Sequence, residues 1–151
     1  MRLVAAVLMA LAAATVAPAQ GTRAKARAGG RPTSPPVAVS AAAPALAGYT
    51  REALFGDLWK RPGLSTRDRC LVTLAALITR NQTVEMPYYM NLALENGVRP
   101  GEISGMITHL AFYAGWENAV AAAAAAREVF ARRGVPADQL PPAGGPRLEL
   151  D

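Results

Sequence analysis

The chain has 151 residues, a formal net charge of +5 at pH 7, one cysteine and one histidine. The single cysteine excludes an intrachain disulfide and a two-thiol redox cycle within one subunit. The single histidine excludes a histidine cluster for a transition metal. The sequence contains no Ser/His/Asp set, glycine-rich phosphate loop or carboxylate-rich metal spacing, so we expect no metal and no other cofactor.

The first residues have the pattern of a secretory signal peptide. Arg2 precedes the apolar run of residues 3–16, and the small residues APA follow at positions 17–19. This pattern predicts cleavage after Ala19 and export to the periplasm or the cell exterior. The apolar run is shorter than the roughly 20 residues of a membrane-spanning helix. We therefore expect no stable membrane insertion.

Residues 20–48 are rich in Ala, Pro, Gly, Ser and Thr, and they contain four basic residues and no acidic one. Such a segment buries too little apolar surface to offset the entropy of ordering, so we predict a disordered basic tether. These basic residues lie in the tether, and the rest of the chain has no recognisable nucleic-acid-binding motif. We therefore expect no nucleic-acid partner. Residues 135–151 are rich in Pro and Gly and are predicted to form a flexible tail.

Sustained helical periodicity is confined to residues 49–134, and no run there alternates apolar and polar residues as a half-buried strand does. We predict an all-α bundle of about five helices. The predicted helices span residues 50–60, 65–78, 85–97, 100–115 and 117–133. The second helix begins with a Ser-x-x-Asp capping pattern at Ser65. It is apolar on nearly all sides, which predicts a central position.

The fifth predicted helix contains six consecutive alanines at residues 121–126. Together with the apolar second helix, this run offers more apolar surface than a domain of under about 90 residues can hide. We therefore expect a homo-oligomer in which the alanine face and the second helix meet a neighbouring subunit.

The start of the third helix contains candidate site residues. Glu85, Tyr88 and Tyr89 lie on one predicted helical face. Glu85 is either a carboxylate stabilised by the helix dipole or a group that faces a pocket together with the phenols. Tyr88 and Tyr89 are either packed aromatic residues with a single hydrogen bond or donors to a substrate.

Two further residues have alternative interpretations. Cys70 is either a small buried hydrophobic residue or a thiolate activated by Arg67 and Arg69 near a helix N-terminus. His109 lies four residues before Tyr113 on the same helical face. It is either a partly buried core histidine or a proton-transferring group in a pocket.

The order of these residues resembles the carboxymuconolactone decarboxylase family, the helical group that also contains alkylhydroperoxidase D. The resemblance covers residues 49–134. It is carried by RDR at 67–69, by the glutamate-to-glycine pattern of residues 85–97, and by HLAFYAGW at 109–116. It implies an all-α fold that assembles as trimers or hexamers, with sites near the subunit contacts.

The chain departs from both activities of the family that it resembles. The peroxidase-like members use a Cys-x-x-Cys pair followed by a histidine, and the matching residues are Gln82, Glu85 and Tyr89. The resemblance therefore argues against disulfide-cycling peroxide reduction. The decarboxylase-like members keep the glutamate, matched by Glu85, and have a histidine where this chain has Tyr89. A tyrosine is a poor base near neutral pH.

The first functional interpretation is a decarboxylase-like lyase that acts on a small lactone or a related organic acid. In this interpretation Glu85 is the base, Tyr89 or Tyr88 donates a hydrogen bond to a developing enolate, and His109 is a second acid. The residues predicted to bind the substrate are Tyr88, Tyr113, Trp116 and Arg80. Arg80 or Arg99 is either a surface charge or a group that binds a substrate carboxylate.

Two other interpretations compete with the lyase. One is a non-catalytic oligomeric binder of small ligands that has lost the family site, which the missing histidine and the export signal favour. The other is a peroxidase-type antioxidant, against which the single cysteine argues.

Overall fold

The computed structural model describes residues 41–144 and residue 149, which belong to the unit formed by residues 31–151. This part of the chain is helical and contains no strand, which confirms the predicted all-α fold class. Its α-helices are α1 (Pro44–Tyr49), α2 (Thr66–Thr79), α3 (Met86–Glu95), α4 (Pro100–Ala114) and α5 (Trp116–Arg133). The predicted signal peptide and most of the predicted tether lie outside the described residues.

Helix α1 lies at the N-terminal side of the predicted domain. It begins at Pro44, and proline suits a first helical turn because its missing N–H has no partner there. The composition of residues 20–48 predicts a disordered tether, but residues 44–48 are helical. The folded part therefore begins at or before Pro44.

Residues 50–60, predicted as one α-helix, form two short pieces instead. These are a π-helical turn at Thr50–Leu54 and a 3-10 turn at Leu58–Lys60. Gly56 lies between them, and a Cβ atom there would clash with the carbonyl oxygen of Glu52. The prediction is wrong because the backbone folds back tightly at a glycine, which interrupts the helix.

Helix α2 begins where the capping pattern predicts. Ser65 is the N-cap, and its hydroxyl oxygen accepts a hydrogen bond of 3.0 Å from the backbone N–H of Asp68. Cys70, Leu74 and Ile78 form the fully buried stripe of the helix. Because α2 packs against α3, α4 and α5, its predicted central position is confirmed. One side of α2 nevertheless faces solvent in a single chain, since Val72 is 61% exposed.

Helices α2 to α5 alternate in direction. At one end of the bundle, Arg67 at the start of α2 forms an ion pair with Glu102 in the first turn of α4. At the other end, the Asn118 side-chain amide donates to the carbonyl oxygens of Thr79 and Ala114, at 3.1 and 2.8 Å. Helices α3 and α4 each pack against both α2 and α5, so they occupy opposite corners of the bundle.

The alanine run of α5 is divided between the core and the surface. Ala122 and Ala126 are buried, whereas Ala123 and Ala124 are exposed. The buried alanines let α5 lie close to its neighbours, since small side chains fill little of the space between helices. The run therefore serves the core of one chain as well as its surface, and its predicted contact with a neighbouring subunit stays a prediction.

The described chain continues in an ordered form past the end of α5. A 3-10 turn spans Ala137–Gln139, and Val135 and Leu140 pack against the core. The composition of residues 135–151 predicts a flexible tail, and the difference arises because two apolar side chains cover core surface there. Across the described helices, none has the length and apolar character that a membrane crossing requires.

Candidate functional site

Four aromatic side chains meet beside the start of α3, and they are termed the aromatic cluster: Phe55, Trp59, Tyr88 and Tyr89. The rings of Tyr88 and Tyr89 are nearly perpendicular, with centroids 5.0 Å apart. Trp59 lies 5.9 Å from Tyr89, and Phe55 lies 6.1 Å from Tyr88. Rings at these distances attract one another through edge-to-face and tilted contacts. The segment before α2 and the start of α3 therefore form one packed unit.

Tyr89 is the more enclosed of the two phenols, with 9% of its surface exposed. Burial, followed by the neighbouring Tyr88, Glu85 and Cys70, raises the pKa of Tyr89 to about 12. Burial also raises the pKa of the half-buried Tyr88. Both phenols are therefore protonated near neutral pH and act as hydrogen-bond donors rather than bases.

Glu85 is the N-cap residue of α3 and is half-buried. Its side chain accepts no hydrogen bond from the first turn of the helix. Its charge contributes to the raised pKa of both Tyr88 and Tyr89, which places the carboxylate within electrostatic reach of the two phenols. The structure thus brings together the three residues that the sequence placed on one helical face.

Cys70 is fully buried, and burial raises the pKa of its thiol to about 11. The two arginines near the start of α2, Arg67 and Arg69, have other partners. Arg67 pairs with Glu102, and Arg69 donates to the carbonyl oxygen of Arg61 at 2.6 Å. Cys70 is therefore a protonated thiol in the core, and its interpretation as an activated thiolate is wrong.

His109 lies on the exposed side of α4, where its ring stacks on Tyr113 with centroids 4.6 Å apart. The interpretation as a partly buried core histidine is wrong for one chain, because the outward face of α4 carries the ring. No described hydrogen bond or ring contact joins His109 to Glu85 or Tyr89, which lie at the opposite corner of the bundle. The three predicted catalytic residues are therefore divided between two surfaces.

The predicted substrate-binding residues Tyr113 and Trp116 are exposed, and the ring of Tyr113 stacks on that of His109. Trp116 is 66% exposed, and its neighbour Phe112 is 81% exposed. Together these residues form the exposed aromatic surface, defined as His109, Phe112, Tyr113, Trp116 and Val120. Apolar patches of this kind mark contact with another molecule. The sequence analysis missed Phe112 and Val120, although three aromatic residues in FYAGW are more than one buried helix face accommodates.

Arg80 and Arg99 differ in their partners. Arg99 pairs with Glu102, with 3.3 Å between Nε and Oε2. Arg80 is exposed at the end of α2, in the connection that leads to Glu85, and its side chain has no acidic partner among the described residues. Of the two arginines, Arg80 is the one placed at the same end of the bundle as Glu85.

Two grooves lie away from Glu85 and the two phenols, and Arg99 lines one of them. One of 690 Å³ is lined by the start of α4 and by residues 138–142, at the end of the bundle opposite Glu85. The other, of 430 Å³, lies between α4 and α5. Within the described ranges, no three or more His, Cys, Asp or Glu side chains are grouped to hold a metal ion.

Comparison with known proteins adds to this geometry. Residues 44–128 match the model of the carboxymuconolactone decarboxylase family. Over 86 residues, 57% of this chain, the sequence is 34% identical to a protein of Acinetobacter baylyi named 4-carboxymuconolactone decarboxylase. Over 68 residues, 45% of this chain, it is 34% identical to a protein of Metarhizium robertsii named nitrosuccinic acid decarboxylase. The matches span 64% of the first relative and 48% of the second.

Proposed function

The chain belongs to the carboxymuconolactone decarboxylase family, and we propose that it is a decarboxylase acting on a small lactone or a related organic acid. The observation that carries the proposal is that Glu85, the N-cap residue of α3, precedes the packed phenols of Tyr88 and Tyr89 on the same helix. Two relatives from different organisms are named as decarboxylases of organic acids, which supports this class of reaction.

The proposed reaction exchanges a carboxylate for a proton. The carbon–carbon bond to the departing carboxylate breaks, carbon dioxide leaves, and the electron pair moves onto the carbonyl oxygen of the substrate as an enolate. Tyr89 donates a hydrogen bond to that oxygen, where negative charge develops in the transition state. Glu85 takes up a proton from solvent and, once the enolate has formed, delivers it to the carbon that lost the carboxylate, which restores the Glu85 carboxylate. In the product, a hydrogen atom has replaced the carboxylate on that carbon.

The environment of Tyr89 suits a donor. Its pKa of about 12 keeps the hydroxyl protonated, and its enclosure between rings strengthens the hydrogen bond because the local dielectric is low. For the same reason Tyr89 does not replace the base function of a histidine at this position. This division of roles leaves proton uptake to the carboxylate of Glu85.

We propose that Arg80 binds a carboxylate of the substrate, because its guanidinium lies at the same end of the bundle and has no described acidic partner. His109, Tyr113 and Trp116 reach this substrate only if a second copy of the chain contributes them. The proposed roles of His109 as second acid and of the two aromatic residues as substrate contacts therefore depend on a homo-oligomer, a trimer or hexamer, that covers the exposed aromatic surface. The proposed location is the periplasm or the cell exterior, on account of residues 1–19.

The proposal is tested by incubating purified protein with a panel of carboxylated lactones and small organic acids while carbon dioxide release is followed. We expect turnover with at least one substrate, and a loss of about 100-fold in kcat for Glu85→Gln. Glu52→Gln is the matched control, because Glu52 is exposed and pairs only with its neighbour Arg51 among described residues. Equal turnover of the wild type and Glu85→Gln would overturn the proposal.

A non-catalytic binder of the same acids is the second candidate function. It is favoured by the replacement of the family's histidine with Tyr89, which removes a base. Saturable binding of an organic acid by calorimetry, weakened in Arg80→Gln and unaccompanied by carbon dioxide release, would support this alternative. The antioxidant alternative is disfavoured because burial raises the pKa of the Cys70 thiol to about 11.

A further inference from the structure

The guanidinium of Arg69 occupies an unusual position on α2. Its Nη2 donates a hydrogen bond of 2.6 Å to the carbonyl oxygen of Arg61. Its Nε is buried and has no hydrogen-bond partner among the described residues. An unpaired buried donor is unfavourable. The position in which Arg69 donates to the Arg61 carbonyl oxygen therefore costs some free energy, because it buries Nε without a partner.

The carbonyl group that Arg69 binds belongs to the residue that ends the 3-10 turn Leu58–Lys60. Around this turn the side chain of Arg61 also pairs with Asp57, with 2.6 Å between Nη2 and Oδ2. Both of these residues lie in the segment before α2. The hydrogen bond from Arg69 is the only one among the described residues that ties residues 50–61 to helices α2 to α5.

The 3-10 turn carries Trp59 into the aromatic cluster. The indole lies 5.9 Å from the ring of Tyr89 at an interplanar angle of 33°, and 5.2 Å from the ring of Phe55. The turn itself has only three residues, so it has little stability of its own. The position of Trp59 over Tyr89 therefore depends on what anchors the turn to the bundle.

We infer that Arg69 is a positioning residue: by holding the carbonyl group of Arg61, it keeps Trp59 packed on Tyr89 and so controls solvent access to that phenol. The chemical use of the phenol rests on the proposed function. The anchoring of Trp59 does not, because it is a matter of contacts that exist without substrate. The enclosure that Trp59 provides agrees with the raised pKa of Tyr89, of which burial is the largest cause.

The inference is tested by acrylamide quenching of Trp59 fluorescence in a Trp116→Phe background, where Trp59 is the single tryptophan. We expect Arg69→Met to raise the quenching constant about twofold, since the released turn opens locally. Arg69→Lys should stay near the parent value, because an ammonium group also donates to the Arg61 carbonyl oxygen. Arg67→Met is the matched control, since it removes an ion pair from the same end of α2 without touching the turn.

Unchanged quenching in Arg69→Met would overturn the inference, and so would an equal rise in Arg67→Met. If Arg69→Met does not fold, Arg69→Gln takes its place, since a glutamine is too short to span the same distance. A spectrophotometric titration of Tyr89, assigned by its loss in Tyr89→Phe, gives a second readout. Its pKa should move from about 12 towards that of an exposed tyrosine in Arg69→Met and not in Arg69→Lys.

Turnover gives a third readout that separates this inference from the proposed function. If the wild type decarboxylates a substrate, Arg69→Met should lower kcat/KM about tenfold while Arg69→Lys retains most of it. Absence of turnover in the wild type would overturn the proposed function, and the quenching comparison would still decide whether Arg69 holds Trp59 in place.

Discussion

The ring of Tyr88 meets the ring of Tyr89 edge to face, at an interplanar angle of 88° and a centroid distance of 5.0 Å. The two residues are neighbours in the chain, yet Tyr89 is buried and Tyr88 is only half-buried. The pair therefore offers two neighbouring phenols, one buried and one half-buried, on the helix that Glu85 begins.

Removal of the Tyr89 hydroxyl is expected to affect turnover far more than stability. In Tyr89→Phe the ring contacts remain, and the lost O–H has no partner among the described residues. We expect kcat/KM to fall about 100-fold because a donor to the developing oxyanion is lost. The midpoint of thermal unfolding should change little. Tyr88→Phe is the control, and an equal loss of turnover in both variants would contradict the assignment of Tyr89 as the donor.

Tyr89 also predicts a fall in stability at alkaline pH. Its pKa is raised from 10.0 in the unfolded chain to about 12 in the folded protein, so the folded state holds the phenolic proton more tightly. The resulting stabilisation is fully present below pH 10 and is lost as the pH rises to about 12. Urea unfolding across this range should show a decline of about 2 kcal/mol from this group. A decline of the same size in Tyr89→Phe would contradict the prediction.

Glu102 is expected to cause a loss of folding stability at acidic pH. The backbone N–H of Arg99, followed by the Arg99 and Arg67 side chains, lowers the pKa of this carboxyl from 4.5 to about 2. Its stabilisation is therefore present above pH 4.5 and is lost as the pH falls towards about 2. Denaturant midpoints measured over this window should depend less on pH in Glu102→Gln than in the wild type. Glu117→Gln, in the exposed first turn of α5, should keep the wild-type pH dependence.

A charge placed on the exposed aromatic surface is expected to separate the subunits of a homo-oligomer without unfolding them. Phe112 is 81% exposed in one chain, so Phe112→Arg places a charge on the surface without disturbing the core. If a second copy covers this surface, the variant should shift the molar mass measured by light scattering towards that of the monomer, with its helical circular dichroism kept. Tyr49→Arg is the control, because Tyr49 is exposed outside this surface. A monomeric wild type, or equal dissociation in both variants, would contradict the proposed contact.

Local chemistry was enough to predict most helix ends. Ser65 caps α2 because its hydroxyl is in register with the backbone N–H of Asp68, and Pro100 starts α4 because proline suits a first turn. The break at Gly56 could not be read in the same way. A glycine within a helical pattern is compatible with a helix, and only the close approach of the Glu52 carbonyl group reveals the turn.

The sequence predicts which candidate site residues share a face of one helix, but it does not predict which residues from different segments come together. Helical spacing placed Glu85 with Tyr88 and Tyr89 on one helix, and it placed His109 with Tyr113, whose rings stack in the structure. It carried no information on which face of α4 is turned outward, because α4 is apolar on several sides. The packing of Trp59 on Tyr89 could not be predicted from the sequence either, because it depends on how residues 50–61 fold.

The hydrogen bonds of Asn118 give the two ends of the bundle different chemical sensitivities. The described ion pairs that join one helix to another, Arg67 with Glu102 and Arg133 with Glu95, lie at the end away from Glu85. At the end near Glu85, a neutral amide joins α5 to the last carbonyl groups of α2 and α4. An organic acid bound near Glu85 therefore meets no interhelical ion pair among the described residues, and added salt screens the charged contacts of the far end more than the neutral amide contacts of the near end.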